Sequence, residues 1–219
     1  MKTFKVLSLL LTYPDSALLA HAGELDTALA GDNLLPAENR RAIGQFLGDL
    51  AGLDLLDAQE RYVALFDRHR SLSLHLYEHI HGESRDRGQA MVKLVALYRL
   101  HGVAIGANEL PDYLPLFLEF LSLLPMKAAA SLLAEAVHVV AALRERLAER
   151  GSGYATVMRA VETLAAKPAD RAAIDEVLAM LKPEADSLAA LDSQWEEEAV
   201  RFAAADAPER RAAIASCAR

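Results

Sequence analysis

The chain has 219 residues, 53% of them hydrophobic and only 6% aromatic, with a formal net charge of −8 and a pI near 5.4. That length and apolar content suffice to bury one sizeable core, and a core drawn mainly from Leu and Ala favours helices over sheet. The negative balance repels phosphate backbones, which argues against general nucleic-acid binding and suits a partner that carries basic groups. A lone cysteine, Cys217, allows neither an internal disulfide nor a thiolate metal cage, and fits a reducing compartment.

In chain order, almost every segment reads as an amphipathic helix. The first spans Phe4 to Tyr13. Its two lysines and apolar run imitate a secretion signal, but Tyr13, Pro14 and Asp15 interrupt the apolar stretch, so it is read as a helix stopped by Pro14. Ser16 to Ala30 forms a second, ended by Gly31. Pro36 suits a first helical position before "AENRRAIGQFLGDLAG", and Asp57 with Glu60 makes an acidic relative of the capping box before "AQERYVALFDRHR". Ser84 caps a helix that runs through His101 to Gly102, with Met91, Leu94, Val95 and Tyr98 on its apolar face and Arg85, Gln89 and Lys93 in a polar stripe. Asp112 caps "YLPLFLEFLSLL", where Pro115 lies in the first turn. A long helix then runs to Gly151, "GSG" forms a hinge, and "YATVMRAVETLAA" and "DRAAIDEVLAML" follow. Beyond Pro183 comes one helix around Trp195 and an Ala-rich end, with 203–219 read as a tail.

The expected fold class is therefore all-α: an irregular helical bundle of short-looped amphipathic helices in a single domain, 1–219, with a soft boundary near 103–110. No run reaches the roughly 18 apolar residues of a membrane span. "LPLFLEFLSLLPM" comes closest, and Glu119 interrupts it.

The chemistry-bearing stretch is "SLSLHLYEHIHGESRDRGQAMVKL", residues 71–94. Within it, His75, Glu78 and His79 spell H-x-x-E-H. As a zinc hydrolase site, His75 and His79 would be ligands on one helix face, Glu78 the base that activates water, and His81 or Glu83 a third ligand. Against this, Gly82 ends any such helix at once, and no third ligand stands out in a separate element. The competing reading takes the dense His, Glu, Arg and Asp residues as a recognition surface between two Leu-rich helices.

The wider context carries a resemblance. "ERYVALFDRHRSLSLHLYEHIHGESRDRGQAMVKL", residues 60–94, closely resembles the signature of the nitrate reductase molybdenum cofactor assembly chaperones, also called the nitrate reductase delta chain. "ELPDYLPLFLEFL", residues 109–121, resembles the family's second block, and "LLLTYP" and "WEEEAVRF" resemble weaker features. In the last of these, Glu198 and Ala199 stand where family members often carry a proline.

The resemblance implies an all-helical, cytoplasmic, enzyme-specific chaperone with no catalytic residues and no resident metal or cofactor. Its implied partner is the apo catalytic subunit of respiratory nitrate reductase. It would bind that subunit's N-terminal peptide and keep the subunit competent for molybdenum cofactor and iron–sulfur insertion before membrane docking. Molybdenum cofactor delivery proteins are further implied partners; nucleic acid and stable membrane insertion are not.

A short amphipathic peptide laid in an apolar groove between helices is a recurrent recognition mode. Its expected walls are Leu72, Leu76, Tyr77 and Ile80 on one side, and Tyr113, Leu114, Leu116 and Phe117 on the other. Glu78, Glu83, Asp86 and Asp112 would meet basic groups of the peptide, and His75, His79 and His81 would tune the contact with pH. Arg85, Arg87 and Gln89 complete the expected client-facing patch.

Overall fold

A computed structural model of the chain describes residues 1–81, 85–106 and 109–180, all within one compact unit, Met1–Lys182. The expected helix around Trp195 and the tail 203–219 lie outside the described residues. The described residues form α1 (Lys2–Leu10), α2 (Ser16–Ala20), α3 (Ala22–Asp32), α4 (Ala37–Ala51) and α5 (Leu55–Phe66). There follow a 3-10 turn at Arg70–Leu72, α6 (Glu78–His81), α7 (Arg85–Leu100), α8 (Leu114–Leu123), α9 (Met126–Glu149), α10 (Tyr154–Thr163) and α11 (Arg171–Met180). Among them there is no strand, only one isolated bridge. The all-α class is as expected.

Helix α9 organises the bundle. Its buried side, including Leu133, Val140, Leu143 and Leu147, packs against α8, α10 and α11. By length and composition α9 could cross a membrane, with a mean hydropathy of 1.5 over its most apolar window, contrary to the expectation that no segment would. Its apolar face is instead spent on the core, and it keeps a polar side with Glu135, Arg144 and Glu145.

Helix α1 buries Phe4, Leu7 and Leu10 against α8 and is pinned to it by polar contacts. Ser8 Oγ donates to the Pro115 carbonyl at 2.7 Å, and Lys5 pairs with Glu119, the residue that breaks the apolar run of α8. Pro115 falls in the first turn of α8, where its missing N–H costs nothing.

Several helix ends differ from the sequence reading. The expected helix from Ser16 is two helices with a joint at His21, and Asp15 caps the first by accepting from Leu18 N at 2.7 Å. Asn33, left-handed with φ 50°, ends α3 in place of Gly31. Asp54, three residues before the expected Asp57, caps α5. Gly151 closes α9 as expected, with φ +64°, a conformation that favours glycine. At Gly153 the constraint is steric: a Cβ there would come within 2.8 Å of the Phe46 ring.

Candidate functional site

Between α5 and α6 the chain is too tightly turned for a long helix. After the 3-10 turn at Arg70–Leu72 it bends at Leu74, forms a bridge at His75 and turns at Leu76 and Tyr77 into the single turn of α6. That non-helical run crosses the approach to α8. Leu76 N donates to the Asp112 carbonyl at 3.0 Å, Leu114 N donates to the Leu74 carbonyl at 2.8 Å, and His75 and Tyr113 face each other as an antiparallel bridge. The two signature blocks are thus joined backbone to backbone.

Asp112 locks the crossing. It does not cap α8, as the sequence suggested; Tyr113 occupies the N-cap position. Its fully buried carboxylate accepts from Tyr77 N at 3.1 Å and from His75 Nδ1 at 3.3 Å, and Arg87 Nη2 lies 3.8 Å away. Arg87 also bonds Glu78 at 3.2 Å, tying the start of α7 to α6. A carboxylate taken out of water needs such partners, and here they come from two separate segments, His75–Tyr77 and α7. With no exposed surface, Asp112 cannot meet basic groups of a partner directly, as the sequence reading expected. It holds the elements that can.

His79 is also structural. It is fully buried, and because a carbonyl only accepts, its Nε2 must carry the proton donated to Ser73 O at 2.7 Å. Burial pushes its pKa below the ordinary value of 6.5, so the ring is neutral near pH 7. This geometry gives the zinc reading no support. His75 lies in the non-helical crossing, ahead of the helix on which it was to share a face with His79. Glu78 is paired with Arg87, and His79 Nε2 is committed to a backbone carbonyl.

Beside this junction, α6, α7, α8 and α9 leave an open furrow of about 490 Å³. Leu76, Tyr77 and Ile80 form one end, Phe117 contributes from α8, and α9 supplies Leu132, Glu135 and Ala136. The lining from α7 is Asp86, Gln89, Ala90, Lys93, Leu94 and Leu97, successive turns of one face, and His81 closes the edge. The Tyr77 phenol has its pKa raised, first by burial and then by the fields of Asp112 and Glu135, so it stays protonated.

On the far side of the bridge lies a smaller cavity of about 240 Å³, walled by Tyr13, Tyr62, Phe66, Asp67, Ser73, Leu74, His75 and Tyr113. Tyr62 Oη is 3.2 Å from Tyr113 Oη, and the Tyr113 ring sits 5.4 Å from that of His75. Burial raises the pKa of both tyrosines.

Of the residues named from sequence, Leu76, Tyr77, Ile80, His81, Asp86, Gln89 and Phe117 line the furrow, while His75 and Tyr113 line the smaller cavity. Leu72 and Leu114 have no exposed surface and belong to the core; Leu116 is half-buried against it, and Arg85 is exposed at the start of α7. Glu83 lies outside the described residues. Sequence reasoning missed Leu132, Glu135 and Ala136, because an apolar position on a long helix reads the same whether it meets core or furrow. It also missed Tyr13, Tyr62, Phe66 and Asp67, brought to Tyr113 only by the tertiary fold.

Fold and site together define an all-helical protein whose two signature blocks are locked across one another beside an open apolar furrow. The chain belongs to the nitrate reductase delta subunit family, whose model matches residues 32–160, from the end of α3 into α10. NarJ of Escherichia coli strain K12, named as a nitrate reductase molybdenum cofactor assembly chaperone, is 47% identical over 199 residues, covering 90% of this chain and 83% of the relative. NarW of the same strain, named as a probable chaperone of that kind, is 39% identical over 204 residues, covering 92% and 84%. A Bacillus subtilis protein, also named as a probable one, is 30% identical over 156 residues, covering 71% and 84%.

Proposed function

We propose that this chain is an assembly chaperone for a nitrate reductase. It binds the N-terminal peptide of the apo catalytic subunit in the furrow between α7, α8 and α9. It thereby keeps that subunit, in the cytoplasm and ahead of membrane docking, open to insertion of the molybdenum cofactor and iron–sulfur centres. The observation that carries this reading is the furrow itself, in a chain 47% identical to a protein named as such a chaperone. An apolar floor with ionisable edges suits the apolar face of a short helix.

Binding rather than turnover explains the arrangement. At the junction beside the furrow, Asp112, His75 and His79 are spent on backbone and on each other, which holds a shape. To release its client, the chaperone must bind the unfinished subunit more tightly than the finished one, since a ligand drives a transition only by its differential affinity.

Calorimetric titration with a peptide of the catalytic subunit's first residues tests this. A saturable one-to-one isotherm at micromolar peptide is expected. No heat at high micromolar peptide would contradict the proposal.

A further inference from the structure

We infer that the furrow is electrically polarised and sets the direction of the helix it holds: Asp86 and Glu135 receive the positively charged end, and Lys93 faces the negative one. This rests on the peptide-binding reading above.

The polarity follows from position. Asp86 and Lys93 lie on the same lining face of α7, seven residues apart, or about 10 Å at about 1.5 Å per residue. Glu135 stands on the opposite wall, on α9, and its field reaches the Tyr77 phenol. Tyr77 adjoins α6, to which Arg87, the neighbour of Asp86, is tied through Glu78. Both acids therefore belong to the α6 end. Arg87 does not cancel them, because its guanidinium is turned to Glu78 and Asp112.

Asp86 has a local use as well, since an acid in the first turn complements its own helix dipole. Glu135 has no such use: it is exposed in the middle of α9 and serves no helix end. The apolar lining, Leu94, Leu97, Phe117 and Leu132, gives area without direction. A helical peptide carries a partial positive charge at its N-terminus, so a peptide with basic residues there has dipole and side chains aligned with this field. Such a peptide lies with its N-terminus toward α6.

The probe is a synthetic amphipathic helix of about 12–15 residues, a length that is marginally helical when free. It carries lysines at its N-terminal end, glutamates at its C-terminal end and a benzophenone at the N-terminal end. With the full-length wild-type protein, photo-cross-links are expected at Tyr77 and the Leu132–Ala136 segment. In the Asp86→Lys, Glu135→Lys, Lys93→Glu triple variant they move to the Lys93–Leu97 segment. Glu135→Lys alone is expected to weaken binding about two- to fivefold at low salt, in keeping with the worth of an exposed pair, and by much less at about 1 M salt. Wild-type binding with cross-links shared between both ends, or with affinity and pattern unmoved in the variants, overturns the inference and leaves the peptide-binding reading standing. Failure of the wild type to bind any such helix overturns both.

Discussion

Two ion-pair clusters in this protein use the same kinds of residue in opposite settings. Around Asp112, a fully buried carboxylate gathers His75, Arg87 and the Tyr77 backbone N–H, and Arg87 reaches on to Glu78. Across α9, α10 and α11, Arg144 bonds Glu162 and Glu145, and Arg171 bonds Glu145 and Asp175, with Arg171 and Asp175 largely in solvent. The second cluster links neighbours that the helix contacts already hold together. In the first, Asp112 reaches partners 25 to 37 residues away in sequence, next to the one short backbone bridge between His75 and Tyr113, and the cluster stands beside the furrow. Charge at the junction therefore specifies geometry, whereas charge on the α9–α11 face mainly decorates a packed surface.

The largest effect that could break this contrast is at Asp112. Replacing it with Ala leaves a buried N–H and two basic groups without their acceptor, and should cost about 3 kcal/mol, within the range for dismantling a buried charged network. Urea denaturation measures this; Asp112→Asn, which keeps an acceptor for Tyr77 N, should lose roughly half as much.

Next is Arg87→Ala, expected to cost about 2 kcal/mol by freeing α7 from α6, within the usual range for a hydrogen bond to a charged group. By sequence, Arg87 and Asp86 belong to one client-facing patch. The structure separates them: Asp86→Ala should lower the thermal midpoint only slightly, by its small helix-dipole contribution, and weaken peptide binding, while Arg87→Ala should lower the midpoint more.

A smaller effect is pH-dependent. His79 titrates below 6.5 when folded and near that value when unfolded, so in mild acid the unfolded chain binds the extra proton. Stability should therefore hold above about pH 7 and fall as pH drops through the unfolded value near 6.5. The midpoint of His79→Gln, followed from pH 7.5 to pH 5, should fall less steeply than that of the wild type. At the bottom of the scale, Arg171→Ala should leave the midpoint unchanged within error. A clear drop would show the exposed cluster doing what only the buried one is argued to do.

Much of the bundle was readable from periodicity, because α7, α9 and α10 carry apolar residues at helical spacing over several turns. The joint at His21 was not, since nothing in "SALLAHAGEL" distinguishes a break from a continuous helix. Asp112 shows the limit most clearly. Its local context, just ahead of an apolar helix, argues for a cap; its partners come from the His75–Tyr77 segment and from α7, and no local rule reports a contact made across the fold. The furrow was half legible for a related reason. Its α6, α7 and α8 walls fall in the signature blocks, but its α9 wall is a few positions of a helix that elsewhere fills the core.

The central claim is that the furrow face of α7, and not another surface of that helix, receives the client's leader. Leu97 lines the furrow, while Leu100, three residues on, is 80% exposed and lines the opposite hollow with Val92 and Pro111. Titrating the leader peptide against Leu97→Glu and Leu100→Glu, once both are shown to melt within a few degrees of the wild type, separates the two faces. The account predicts at least about a tenfold loss for Leu97→Glu, the cost of placing a charge in an apolar contact, and wild-type affinity for Leu100→Glu. Full affinity in Leu97→Glu, or a loss confined to Leu100→Glu, would contradict it.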